Sequence, residues 1–451
     1  MLAELDFQFG WRWLLPIQEV DRVAFLGFSK PELGYWEQAL FGATMVSNPE
    51  NATVWIVNAD EFPVGDRADL GKVGAICVVG RGSSVTAWYR RLAGQYPVVR
   101  EYGLMSPRNP RVVVPLSSPS HISSALSIHR PGRLLARIGV IVLKGLAAGG
   151  ILRPLRARSL CIAIKNLSTL PQGARLAGFD LDPPVGHEAF ALYLGTPDDN
   201  RKTVVLSLGC GPQLVLKCGE TPKAHAALRN EAAALVVLSR TPLAGQVPAL
   251  LGVVEQGGMI TLHLEYRPRQ RVSANRLMQA AADFLVELSR IHQKYMPLSE
   301  ILEHSELITC GNARQRGWLA YAEVRVRLEA LARGGLYIWG NRIHGDFAPW
   351  NCEWTKEGFF VFDWEESREW GMALTDAFYF MVARAVHVSR FPGPRNTAAK
   401  AMNFARDVAL KADVPIEDIS VYWALWLLQR TSQQPAPLYH SLLEGLAVRW
   451  N

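Results

Sequence analysis

Between Ile343 and Glu365 the chain reads IHGDFAPWNCEWTKEGFFVFDWE, an order of residues that few folds accommodate. His344-Gly345-Asp346 is followed by Asn351, and an apolar strand, Val361-Phe362-Asp363, then delivers a second carboxylate at its end. Either half alone is an ordinary Asp–Asn turn or an acidic strand end. Together, in this order, they suit phosphoryl transfer from a magnesium-bound nucleotide, where catalysis is mostly positioning and neutralisation of phosphate charge. Mg²⁺ prefers a few hard oxygen donors plus phosphates and water, which matches Asn351 and Asp363. Asp346 then remains to orient an attacking hydroxyl and accept its proton.

The segment resembles the aminoglycoside phosphotransferase and choline kinase branch of the protein-kinase-like fold, whose members carry HGD-x-x-x-x-N in the catalytic loop. The resemblance covers about residues 175–400. It implies ATP and Mg²⁺ as cofactors, Asp346 as catalytic residue, and Asn351 and Asp363 as metal ligands. Gly345 stands where a protein kinase usually has arginine. No phosphorylated activation loop is then read at that position, and the expected partner is a small-molecule hydroxyl acceptor: a sugar, an amino alcohol or an aminoglycoside-like compound. In this fold the loop histidine, here His344, is a scaffold rather than a base.

The same resemblance orders the upstream segments. Phe190–Leu194 and Thr203–Leu208 read as strands of a hairpin covering the nucleotide phosphates, with one glycine, Gly195, in place of a glycine-rich run. Lys217, in the strand Gln213–Cys218, is expected at the α and β phosphates, held by Glu231 from the alanine-rich helix that follows. Met259–Tyr266 ends before a proline and resembles the hinge, whose backbone near Glu265 and Tyr266 would receive the adenine edge. Leu277–His292 carries apolar residues at spacings of three and four and predicts a C-lobe helix, with His292 a structural residue at its end. Asp376 is expected to cap a helix or brace the catalytic loop.

Residues 1–170 have no place in that fold. Arg22–Gly27, Thr53–Val57 and Val73–Val79 read as buried strands of an α/β sheet. Trp88–Leu116 and Leu160–Ile164 faintly resemble the second half of a Rossmann-type methyltransferase. The first strand, however, runs into Phe28-Ser29-Lys30-Pro31 without a glycine-rich turn, so the reading is of a degenerate, non-catalytic domain. The expected architecture is thus an α/β, Rossmann-like N-terminal domain (1–170) plus an α+β bilobal protein-kinase-like domain with an N-lobe (175–266) and a C-lobe (267–451). Two rival functions belong to other classes. One is a pseudokinase-like nucleotide-binding scaffold, suggested by the single-glycine loop. The other is an N-terminal transferase using a nucleoside cofactor and regulated by the kinase-like part.

Composition narrows the remaining classes. With 49% hydrophobic and 20% charged residues over 451 positions, the chain is long enough for two or three globular domains. The net charge of +7 is modest, and no basic block or motif points to nucleic acid. Six cysteines without CxxC pairs read as reduced thiols, and the N-terminal residues lack a signal-peptide pattern, so the cytoplasm is the expected location. A membrane surface is a conceivable partner only at Leu134–Leu152, an apolar stretch flanked by Arg133, Arg137, Lys144 and Arg153; a packed helix with a solvated basic side is the favoured reading there.

Overall fold

The structure, a computed structural model, describes residues 10–15, 21–39, 43–64, 70–105, 112–116, 118–128, 142, 145, 158–165, 189–195, 198–208, 214–256, 258–304, 318–387, 393–414, 419–433 and 436–450. Contacts divide the chain into two units, one of Met1–Leu228 with Leu250–Tyr266 and one of Arg229–Ala249 with Arg267–Asn451.

The first unit is built on one 12-stranded sheet. Its N-terminal part comprises β1 (Arg22–Leu26), β2 (Thr44–Met45), β3 (Val54–Asn58), β4 (Ala75–Arg81), β5 (Val98–Met105), β6 (Val112–Pro115) and β7 (Arg158–Ile164), with α1 (Lys30–Ala39), α2 (Gly82–Ala93) and α3 (Pro119–Ile128) between them. Away from their polar ends, the segments at β3, β4 and β7 are apolar without alternation, as strands buried on both faces should be. The first four strands run parallel in the order β2-β1-β3-β4, and β7 is inserted antiparallel between β4 and β5. The remaining strands are β8 (Ala189–Leu194), β9 (Lys202–Leu208), β10 (Leu214–Gly219), β11 (Leu250–Gln256) and β12 (Met259–Glu265), an antiparallel set in the order β8-β9-β10-β12-β11.

The two sets are one sheet because β6 pairs with β8, Val112 opposite Tyr193 and Val113 opposite Leu192. One apolar cluster also spans them: Trp11, Leu14, Tyr35 and Trp36 share it with Phe190, Leu192, Leu194, Leu216 and Met259. Arg12 reinforces the junction. Its guanidinium is buried, donates to the Tyr35 hydroxyl, and bonds both oxygens of Glu220 at 2.7 and 2.8 Å, immediately after β10. Glu220 is half-exposed, so the pair is partly screened. Glu220→Gln should lower the unfolding free energy by about 1–2 kcal/mol, readable by urea denaturation, because a buried guanidinium loses its counter-charge.

The second unit begins within α4 (Pro222–Leu238) and contains α5 (Ala274–Ser289), α6 (Leu298–His304), α7 (Trp318–Arg333), α8 (Thr375–His387), α9 (Pro394–Ala412), α10 (Ile419–Gln433) and α11 (Pro437–Trp450). Its strands form a three-stranded sheet, β13 (Lys294–Pro297), β14 (Tyr337–Ile343) and β17 (Arg368–Met372), and a hairpin, β15 (Cys352–Thr355) with β16 (Gly358–Val361). Ser273 caps α5 by accepting the Arg276 N–H, and the helix stops at Ser289, short of the expected His292. His292 lies beyond it in left-handed backbone with φ 55°.

Among the described residues no helix is long and apolar enough to cross a membrane. The basic stretch at 134–152 falls outside the described residues except for Val142 and Gly145, both exposed. Cys77, Cys161, Cys218 and Cys352 are buried free thiols; Cys210 and Cys310 fall outside the described residues.

Candidate active site

The loop between β14 and β15 is shaped by three contacts that the sequence needs at this point. Gly345 has φ +86°, and a Cβ there would collide with the Glu366 carbonyl oxygen, so no residue with a side chain fits. His344 is fully buried; its Nε2 lies 3.1 Å from the Phe362 carbonyl oxygen and its Nδ1 accepts the Asp346 N–H at 3.3 Å. Asp376, at the start of α8, accepts the backbone N–H groups of His344 and Gly345 at 2.7 and 3.0 Å. A run of aromatic contacts holds the loop from below: Phe347 stacks on Phe284 of α5 and meets Phe380 of α8, while Trp364 lies 4.5 Å from the His344 ring.

Asp346 projects from this scaffold. Its carboxylate and its carbonyl each accept from the Asn351 Nδ2, both at 2.9 Å, and its carboxylate also accepts from the Tyr379 hydroxyl. With Nδ2 committed to Asp346, Asn351 presents Oδ1 as the atom open to a cation. The hairpin β15–β16 places the next candidate ligand: Phe362 N–H donates to the Asn351 carbonyl at 3.1 Å, so Asp363 follows close to Asn351 despite the residues between them. Asp363 itself sits in left-handed backbone with φ 73° and ψ 59°, a conformation that non-glycine residues adopt at a cost of order 1–3 kcal/mol and that clusters at functional sites.

Carboxylates concentrate here. Glu231 is fully buried, accepts the Trp364 N–H at 3.3 Å, and presents an oxygen within 4.8 Å of oxygens of Asp363 and Glu365. Asn230, its neighbour on α4, donates to the carbonyls of Glu365 and Ser367 at 2.8 and 2.7 Å, which ties the helix to the turn after Asp363. Such crowding of hard oxygen donors fits a divalent cation of the Mg²⁺ type, which would offset the like-charge repulsion.

Burial is the main reason that the Asp346 carboxyl is raised above its usual range; Asp363 raises it further, while Tyr379, Asn351 and Arg430 pull it down. Burial also raises Asp376, to about 6, against the two N–H donors that lower it. A folded-state pKa above the unfolded value means that the associated stability is present at low pH and lost as pH rises through about 6. Wild type should therefore gain about 2 kcal/mol relative to Asp376→Asn between pH 7.5 and pH 4.5, measurable by denaturant unfolding at each pH.

The expected residues thus fall into two groups. Glu231, Asp346, Asn351 and Asp363 lie in the second unit and converge as described. Gly195, Lys217, Glu265 and Tyr266 lie in the first. Gly195 closes the β8–β9 hairpin, where a Cβ would lie 2.8 Å from the Lys202 carbonyl oxygen. Lys217 is buried in the middle of β10, opposite Val204 and Leu262. Glu265 ends β12 opposite Leu214, and Tyr266 packs, partly buried, against the apolar cluster that contains Val112, Leu116 and Ile122. Two side chains escaped the sequence reading, Tyr379 and Arg430. Arg430 donates to the Gly345 carbonyl at 2.9 Å and lies 4.2 Å over the Tyr379 ring. No local pattern marks either, since α10 arrives some eighty residues after the loop.

Residues 197–407 match the model of the phosphotransferase enzyme family. No curated protein matches the sequence. The chain trace is similar to that of a thermostable mutant of aminoglycoside phosphotransferase APH(4)-Ia, with 12% identity, 57% of this chain and 94% of that chain covered, and a TM-score of 0.37. It is also similar to choline kinase LicA from Streptococcus pneumoniae, with 18% identity, coverage of 54% and 89%, and a TM-score of 0.35. A microcompartment-associated aminopropanol kinase gives 11% identity, coverage of 58% and 90%, and a TM-score of 0.37. Residues 197–407, the segment that matches the phosphotransferase enzyme family model, hold His344, Asp346, Asn351, Asp363 and Asp376.

Proposed function

We propose that this chain is an ATP- and Mg²⁺-dependent phosphotransferase that moves the γ-phosphoryl group to a hydroxyl of a small molecule. The observation that carries the reading is the Asp346 carboxylate, oriented by Asn351 beside the Glu231, Asp363 and Glu365 cluster. Bound ATP and Mg²⁺ supply the phosphoryl group and the charge neutralisation of its phosphates. Asp346 orients the acceptor hydroxyl and takes its proton as the bond to phosphorus forms. Asn351, through Oδ1, and Asp363 hold the cation; Glu231 and Glu365 add negative charge beside them. Gly195, Lys217, Glu231, Glu265 and Tyr266 are assigned to the nucleotide, Lys217 as the cation for its phosphates.

Two features favour a small acceptor. Gly345 leaves no side chain to read a phosphorylated loop, and only Trp364–Leu374 separate Asp363 from α8, most of it committed to a turn and to β17 against β14. Mass spectrometry of purified protein with ATP, Mg²⁺ and pooled sugars, amino alcohols and aminoglycosides tests the proposal. A phosphorylated product identifies the acceptor; absence of nucleotide binding by calorimetry sinks the reading.

The N-terminal strands support a degenerate Rossmann-type role without a cofactor. Their parallel order, with β7 reversed between β4 and β5, favours the Rossmann-like reading. The ends that would meet a nucleoside are occupied by the chain's own carboxylates. Glu32 accepts from Ser29 N–H and hydroxyl at 2.7 Å at the start of α1, and Asp60 accepts from Arg81 N–H at 2.9 Å and the Ser84 hydroxyl at 3.1 Å at the start of α2. An anionic ligand would have to displace them.

A further inference from the structure

The catalytic loop carries no cation of its own. Between His344 and Asn351 the chain supplies Gly345, Asp346, Phe347, Ala348, Pro349 and Trp350, and position 345 cannot bear a side chain because of the Glu366 carbonyl. Asp346, Asp363 and Asp376 nevertheless gather around this loop, two of them close enough to Asp346 to act on its charge. Arg430 brings a positive group to that place from α10. One guanidinium nitrogen donates to the Gly345 carbonyl at 2.9 Å, while the planar group lies 4.2 Å from the centre of the Tyr379 ring. Tyr379, on α8, in turn directs its hydroxyl to the Asp346 carboxylate.

We infer that Tyr379 and Arg430 are positioning residues for Asp346: the phenol fixes the carboxylate from one side as Asn351 fixes it from another, and Arg430 locks the phenol and the loop backbone together. The inference rests on the phosphotransfer reading of Asp346. The geometry suits this division of labour. A carboxylate on a single rotatable bond sweeps an arc unless hydrogen bonds hold it, and two donors from different elements hold it at the angle at which a hydroxyl can be met. Arginine is the side chain for the outer position because its planar group stacks on a ring while its N–H groups reach a carbonyl, which a lysine ammonium cannot do at once. The α10 helix that carries Arg430 is anchored independently, with Trp423 and Trp426 packed on Phe378 of α8, so removing the guanidinium leaves the packing in place.

The test uses the full chain and three conservative variants. Tyr379→Phe deletes only the hydroxyl and keeps the ring under Arg430; Arg430→Lys keeps charge without the planar stack; Arg430→Ala opens a space that free guanidinium can enter. Turnover is followed with the acceptor found in the pooled screen, or as slow ATP hydrolysis, beside Asp346→Ala. Tyr379→Phe and Arg430→Lys should each lower kcat about tenfold, with the KM for ATP and the melting temperature close to wild type. The two should combine to less than the product of their separate effects, and guanidinium at tens of millimolar should restore part of the Arg430→Ala activity. Wild-type kcat in both conservative variants, with Asp346→Ala inactive, overturns this inference alone. Absence of turnover in wild type, or turnover unchanged in Asp346→Ala, overturns the phosphotransfer reading and this inference with it.

Discussion

Asp346→Ala should lower kcat for phosphoryl transfer by about 10²–10⁴-fold, the range that a positioned acid–base group contributes, and leave nucleotide affinity nearly unchanged. The separation follows from the geometry. Asp346 is held by Asn351 and Tyr379 and bonds no residue of the first unit among its described partners, whereas the carboxylates that suit a cation are Asp363, Glu365 and Glu231. In the proposed reaction, removing the Asp346 carboxylate takes away the group that meets the hydroxyl and relieves negative charge beside Asp363, so affinity for Mg²⁺-nucleotide is expected to hold or rise. Asp363→Ala should do the opposite, weakening nucleotide binding in Mg²⁺ as well as turnover. Calorimetry with a non-hydrolysable nucleotide, paired with steady-state kinetics, distinguishes them. An Asp346→Ala variant that turns over normally would remove Asp346 from the chemistry.

A fragment of residues 189–451 should fail to fold, although it contains all of the family-matching segment. In the intact chain β8 is an interior strand, bonded to β9 on one side and β6 on the other. Deletion turns it into an exposed apolar edge, the kind of strand that pairs with other chains. The loss on the sheet face is larger. Phe190, Leu192, Leu194, Leu216, Cys218 and Met259 share a cluster with Trp11, Leu14, Leu15, Tyr35 and Trp36, and the fragment leaves these six uncovered. At about 1.5–3 kcal/mol for each buried side chain, the loss is comparable with the entire stability of an ordinary domain. Size exclusion and a thermal melt by circular dichroism would check it; a monodisperse fragment with a cooperative melt would show that the N-terminal strands are dispensable.

The convergence of the candidate residues was legible where it is local in sequence. His344, Asp346 and Asn351 occupy one loop, whose shape follows from a glycine that only φ above zero can satisfy, and Asp363 follows one hairpin later. The strands were legible for a similar reason, since apolar runs without alternation such as those of β3, β4 and β7 suit a sheet covered on both faces. Less was readable at the ends of elements: α5 stops at Ser289 because the chain turns there to start β13, a tertiary requirement that the apolar spacing through Ile291 does not record. The joining of β6 to β8 was not readable at all. Edge pairing leaves no pattern in either strand, because any strand with a free edge offers the same N–H and C=O groups.

The sequence by itself determined which atoms are available for the proposed chemistry: two aspartates, an asparagine and a histidine at spacings that one loop and one hairpin bring together. Those relations span few residues, so local backbone geometry suffices to form them. Tertiary structure alone decided how these atoms are held and charged. Tyr379 and Arg430 reach the loop from α8 and α10, and Arg12 reaches Glu220 across the first unit. Each of these contacts joins residues far apart along the chain, and nothing in the composition of either partner selects the other. Their meeting depends on which buried faces pack together, and packing is a property of the assembled core.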